Sequence, residues 1–213
     1  MNILAVSDIH GRINYEKRIL DALSSADIVV ICGDITNFGG MKEAIIVLDT
    51  IREFNQNILA VPGNCDQHEV LDVLKNEHIN LHGEIKEIKG LVFFGIGGSG
   101  FTPFNTPQEY SDEEIERILS NYKKQKGREI FVSHAPPINT KVDKTLMGMH
   151  VGSKHIRKFI EKNQPDLCLC GHIHEARGID KIGTTIILNP GPFPKNYAVI
   201  EVADEINVKL YPD

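Results

Sequence analysis

The chain has 213 residues, 41% of them hydrophobic and 24% charged, the composition of a globular protein with ample core, most simply a single domain over residues 1–213. Lysine and arginine number 23 against 29 acidic residues, a formal net charge of −6, so no basic field draws in a nucleic-acid polymer, and small substrates are the expected partners. No apolar run approaches the roughly 20 residues of a membrane span and the N-terminus lacks a secretory pattern, so a cytoplasmic protein without membrane contact is expected, a homo-oligomer being left open.

In chain order, residues 2–7 read as a strand and SDIHGR as the loop behind it. Residues 13–25 read as a helix, with Ile19, Leu20 and Leu23 on one face and Asn14 as N-cap. A β-branched strand at 28–32 is followed by the Gly39-Gly40 break and a helix at 41–54, with Ala44, Ile45, Leu48 and Ile51 on one face. Strand 58–61 leads into PGNCD and a short helix at 69–75. This βαβαβα order predicts parallel strands with helices outside.

The segments 84–88 and 91–96, around Lys89-Gly90, predict a hairpin. The Gly/Pro/Thr-rich stretch 97–111 predicts an irregular loop, ended by a capping box at Ser111 and Glu114 that opens a helix to about residue 124. A strand at 129–132 stops at His134, a second irregular stretch runs to a helix at 153–162, and a strand at 166–170 stops in GHIH. From Gly183 the segments 184–188, 197–202 and 206–210 read as antiparallel strands. A parallel half followed by an antiparallel half suggests two sheets face to face with helices outside.

Chemistry collects where the strands stop. Five apolar runs end in Asp8 and His10, in Asp34, in Asn64, in His134, and in His172 and His174. Strand ends of an α/β sheet converge on one crevice, so these donors can meet there. Two carboxylates, one amide and four imidazoles exceed what one ion takes from protein, whereas two ions sharing a carboxylate would use them all. The set contains no thiolate and suits Mn first, with Fe, Ni, Co or Zn as alternatives, rather than Mg or Ca. Of the cysteines, Cys32, Cys168 and Cys170 lie in strand-like runs and read as small apolar fillers in a reducing compartment. Taken singly, Asp8 and Asp34 could cap loops and His134 could be a core histidine. Taken together, seven donors at five strand ends favour a metal site.

DIH at Asp8, GD at Asp34, GN at Asn64, the lone His134 and GHIH at His172 and His174 stand in the order and context found in calcineurin-like metallophosphoesterases. The chain resembles that superfamily, in particular its small prokaryotic phosphoesterases, over residues 2 to about 192. The resemblance implies a four-layer αββα sandwich of two mixed sheets flanked by helices, with a dinuclear metal site at the strand ends. It implies one ion on Asp8, His10 and His174, a second on Asn64, His134 and His172, and Asp34 between them. It implies hydrolysis of a small phosphate ester by a hydroxide held between the ions, with Asp34, Asn64 and His134 central to catalysis.

One departure bears on substrate. The family pattern GNH(D/E) reads Gly63-Asn64-Cys65-Asp66 here, so the imidazole that helps a leaving group depart is replaced by a thiol, a weaker proton donor. A lost general acid costs roughly 10²- to 10⁴-fold where the leaving group needs a proton. A phosphodiesterase acting on small substrates, nucleotides among them, is therefore favoured over a phosphomonoesterase, a protein phosphatase or a non-catalytic scaffold. His68 and His150 are candidate substitutes, His150 together with Gly152 and the helix opened by Ser153; Arg12 and Cys65 are candidate substrate contacts. Asn37 stands where relatives carry an acid, and Phe101, Phe104 and Tyr110 are candidates to stack on an aromatic group. His78, His82 and His155 lie outside every motif.

Overall fold

The structure is a computed structural model and describes residues 1–212. Its elements are β1 (Asn2–Val6), α1 (Lys17–Ser25), β2 (Ile28–Cys32), α2 (Met41–Arg52), β3 (Ile58–Val61), α3 (His68–Asn76), β4 (Ile85–Ile88), β5 (Leu91–Ile96), α4 (Asp112–Leu119), β6 (Arg128–Ser133), α5 (Lys154–Asn163), β7 (Leu167–Leu169), β8 (Gly178–Ile182), β9 (Thr185–Asn189), β10 (Tyr197–Val202) and β11 (Ile206–Tyr211).

Strand side chains alternate between faces, and β1 is buried on both. Leu4 and Val6 join Val29 and Ile31 of β2 in packing against Ile19, Leu23, Leu48, Ile51 and Leu74 of α1 to α3. Ile3 and Ala5, on the opposite face, pack with Phe93, Ile130, Leu167 and Leu188 of a second sheet. That second sheet then buries Phe94, Phe131 and Ile187 against Ile115, Ile156 and Phe159 of α4 and α5. Three apolar seams separate four layers, the αββα sandwich that the sequence suggests.

The first sheet runs β11-β10-β1-β2-β3 and the second β4-β5-β6-β7-β9-β8. β1, β2 and β3 are parallel, as are β5, β6, β7 and β9. The β4–β5 hairpin and the Ser111–Glu114 capping box form as expected. Both sheets are mixed, and their parallel centres aim the loops after β1, β2, β3, β6 and β7 at one place.

Several expected boundaries move, each for a tertiary reason. α1 begins at Lys17, with Glu16 rather than Asn14 at the N-cap and no side-chain cap; Tyr15 packs edge-on against the Phe193 ring at 5.1 Å, which holds the approach extended. On α2 the inward face is Ala44, Val47, Leu48 and Ile51, and Ile45 is 38% exposed. α4 ends at Leu119 because Tyr122 and Lys124 turn onto Glu129, with the Tyr122 ring against Phe94 and Phe159. β8, sequence GIDKI, has no apolar period but pairs antiparallel with β9 as an edge strand. β9 itself is parallel to β7 in the second sheet, so the chain beyond Gly183 is not one antiparallel run.

Candidate metal centre

The pairing of β1 with β2 continues beyond the strands as loop-to-loop bonding. Asp8 N–H donates to Gly33 O at 3.0 Å, His10 N–H to Asp34 O at 2.9 Å and Gly11 N–H to Ile35 O at 2.9 Å. These bonds hold Asp8, His10 and Asp34 at φ of 54, 48 and 49°, and His172 sits at 69°. Non-glycine residues rarely occupy this region, and its strain persists only where the surroundings over-determine it. The motif glycines make room for the approach: a Cβ on Gly63 would lie 2.0 Å from Asp34 Oδ1, and one on Gly171 1.7 Å from Ser7 Oγ and 2.8 Å from Asp8 Oδ2.

The seven sequence-nominated donors come together. The Nε2 atoms of His10 and His174 stand 3.3 Å apart, and His174 Nε2 is 3.4 Å from Asp8 Oδ1. Asp34 lies between two sets, its Oδ2 3.7 Å from His10 Nε2 and its Oδ1 3.5 Å from His134 Nε2. His134 Nε2 is 2.8 Å from Asn64 Oδ1, and the His172 ring lies 5.1 Å from that of His134. Ligand atoms of Asp8, His10 and His174, and those of Asp8, Asp34 and His134, each fall within 4.8 Å of one another.

The donor chemistry fits a cation. His134 Nδ1 faces the Cys32 carbonyl at 2.8 Å; a carbonyl only accepts, so Nδ1 carries a proton and Nε2 is the ring nitrogen turned to the site. Asn64 Nδ2 donates to Thr106 Oγ1 at 3.0 Å, and Thr106 Oγ1 donates to Glu109 at 2.7 Å, so the Asn64 carbonyl oxygen is the atom facing His134. His134 Nε2 and Asn64 Oδ1 therefore face each other at 2.8 Å, a pair that a proton on the ring or a metal cation between them satisfies. His10 Nδ1 is buried without a hydrogen-bond partner among the described residues.

Charge follows the same layout. Burial alone would raise the Asp8 carboxyl, but the His174 hydrogen bond and the His134 and His174 charges hold it at about 2. Burial, then the His134 charge, brings His172 down to about 4, and burial lowers His10. His174 is raised, chiefly by its bond to Asp8. At neutral pH His10 and His172 are neutral imidazoles, the form that ligates metals.

The remaining candidates distribute differently. Cys65 N–H donates to Asp34 Oδ1 at 2.8 Å, supporting that carboxylate where Asn37 does not. The Cys65 side chain falls within ligand distance of His10 and Asp34, a thiol that the sequence reading left out of the donor set. Burial and the Asp34 charge push that thiol upward, so it stays protonated. His68 is exposed as the first residue of α3. His150 Nδ1 and Gly152 N–H both bond Asp143, at 2.7 and 3.0 Å, so the pair expected to greet a phosphate is turned to a carboxylate, leaving His150 Nε2. Arg12 donates to Phe193 O at 3.4 Å. Phe101 and Phe104 are exposed, while Tyr110 bonds Gln108.

Two supporting residues escaped the sequence reading. Asp66 is fully buried and accepts from the N–H groups of Ile35, Thr36 and Gly63 and from Thr36 Oγ1, lashing the Asp34 loop to the Asn64 loop. Burial and the Asp34 charge raise it to about 6, so it remains ionised at pH 7. Thr106 orients Asn64 from the irregular 97–111 loop. The acid of the GNCD motif was the available signal for Asp66; for Thr106 there was none.

Residues 1–176 match the family described as calcineurin-like phosphoesterase. The chain belongs to that family. Calcineurin-like phosphoesterases hydrolyse phosphoesters with divalent ions in a dinuclear site, and this member is 45% identical over 205 residues to the uncharacterized protein MJ1162 of Methanocaldococcus jannaschii, covering 94% of this chain and 92% of that one. It is 22% identical over 214 residues to the "Probable glycerophosphodiester phosphodiesterase GpdQ" of Arcobacter nitrofigilis, covering 83% of this chain and 72% of that protein. The solved structure of TT1561 of Thermus thermophilus shares the fold, with a TM-score of 0.75 at 19% identity over 98% of this chain and 97% of that one. Among the described residues no helix is long and apolar enough to cross a membrane.

Proposed function

We propose that this phosphoesterase is a phosphodiesterase of small substrates. Asp8, His10 and His174 would hold one divalent transition-metal ion, Mn first, and Asn64, His134 and His172 a second, with Asp34 between them. The observation that supports a diester is a cavity against each ligand set. One of about 530 Å³ reaches His172, and another of about 600 Å³ reaches His174. A diester has two arms to place; a monoester has one.

Two divalent ions bound here would supply a lowered pKa for an attacking water and neutralise the phosphoryl oxygens. The chain's own residues prepare that chemistry. The Cys32 carbonyl fixes the His134 tautomer, Thr106 fixes the Asn64 amide, and the Cys65 N–H and Asp66 hold the Asp34 loop, so little reorganisation is left for the reaction. No imidazole occupies position 65, and the raised Cys65 thiol is a poor proton donor. Leaving groups that depart without a proton are favoured accordingly.

The test is hydrolysis of an aryl phosphodiester and the matching monoester by metal-stripped protein, with Mn, Ni, Zn or Mg added back. Metal-restored turnover favouring the diester is the expected result. Preference for the monoester would remove the diesterase reading, and no turnover despite bound metal would leave a binding scaffold.

A further inference from the structure

The two cavities beside the centre differ in charge. The one at His174 is lined by Arg12, Arg18 and Lys195 against a single carboxylate, Glu16, in a chain whose net charge is −6. Arg18 is paired with Glu16 at 3.1 Å. Among the described residues no carboxylate pairs with Arg12 or Lys195. Arg12 is held from behind by the Phe193 carbonyl, and Phe193 is itself anchored: its N–H donates to Ser7 O at 2.8 Å, and its side chain is fully buried. Lys195 rises from the same turn, closed by Asn196 N–H donating to Pro192 O at 3.0 Å. Arg12, held by a backbone carbonyl, and Lys195, an exposed side chain on an anchored turn, thus line the same cavity as a metal-site histidine.

The cavity at His172 has the opposite character. Asp112 and Glu113 line it together with Phe101, Val151 and Lys154, and Lys154 is already paired with Asp112 at 2.8 Å. With two carboxylates and a lysine already paired in its lining, it suits an uncharged or aromatic group better than a second anion.

We propose that the Arg12–Lys195 cavity binds a second anionic group, a carboxylate or a phosphate, carried on one arm of the substrate, while an uncharged arm lies in the Phe101 cavity. This rests on the diesterase reading and narrows it to asymmetric diesters with a charged end. Arginine and lysine bind such oxyanions through charge-assisted hydrogen bonds, the stronger class in a partly enclosed site.

The test uses unhydrolysable diester analogues on Mn-loaded protein by calorimetry: alkyl(methyl)phosphinates with alkyl arms of three to six carbons, the ω-carboxy derivatives of equal length, and the ω-phosphono derivatives. At least one carboxy or phosphono probe should bind about tenfold or more tighter than the probe of equal length that lacks the ω-anion. Which of the two gains more identifies the anion. In Arg12→Gln/Lys195→Gln the ratio should fall to about one, and Lys195→Glu alone should lower it further than Lys195→Gln, an ordering that misfolding does not mimic. Equal binding of probes with and without the ω-anion in the natural protein, or a preference that survives the double substitution, overturns the cavity's role alone. Failure of every phosphinate to bind overturns the diesterase reading and this proposal together.

Discussion

Asp34 offers one oxygen to His10 and the other to His134, so its loss should disturb both ligand sets at once. Supporting partners of metal ligands are worth roughly 10- to 100-fold, and a shared ligand more, so Asp34→Asn should lower metal-restored turnover by at least about 100-fold; retained turnover would remove Asp34 from the centre. Cys65→His reintroduces a proton donor. The expected gain is about tenfold or more on an alkyl ester and little on a nitrophenyl ester, because only the former needs the proton. Equal gains on both would mean that position 65 acts through something other than proton donation. The convergence of the seven candidate donors was legible because each follows a strand-like run and belongs to a motif. Thr106 was not, since its role depends on where a 15-residue irregular loop comes to rest.

At the scale of elements, the sequence shows most where periodicity and local chemistry agree. β1, β2 and β3 are short β-branched or aliphatic runs, and the Ser111–Glu114 box opens α4 where expected. It shows least where a distant partner decides. Tyr15 delays α1 by docking on Phe193, Glu129 ends α4 by capturing Tyr122 and Lys124, and β8 becomes a strand because β9 offers it an edge. The α5 face is the strongest test of that outer layer. Phe159, 8% exposed, meets Phe94, Phe131 and Tyr122 at centroid distances of 5.8, 4.5 and 5.1 Å. Phe159→Ala should cost about 3–5 kcal/mol by chemical denaturation. A loss below about 1 kcal/mol would mean that the layer collapses to fill the gap.

For the whole molecule, four layers put the parallel centres of both sheets in register with one rim, which lets residues from Asp8 to His174 act together. Two facing sheets with helices outside were suggested by the order of elements, and the four-layer αββα form by the family resemblance; the assignment of β9 to the second sheet and of β10 and β11 to the first was not legible, because pairing partners leave no mark on strand composition. Global stability should carry a signature of one half-buried ring outside the centre. Burial, then the Lys75 charge, brings His82 down to about 4, and its Nδ1 accepts the Gly97 N–H at 3.0 Å. The unfolded chain protonates this ring first, so the contribution is complete above about pH 6.5 and lost as pH falls toward about 4, roughly 1–3 kcal/mol. The difference in denaturation free energy between the natural protein and His82→Gln should shrink across that window; a constant difference would contradict it.

Two ions sharing Asp34 are the core of the proposed chemistry, and anomalous diffraction from crystals grown with Mn tests this directly. Two peaks about 3.5–4 Å apart, one beside Asp8, His10 and His174 and the other beside Asn64, His134 and His172, with Asp34 between them, is the expected result. A single peak, or two that do not share Asp34, would contradict it.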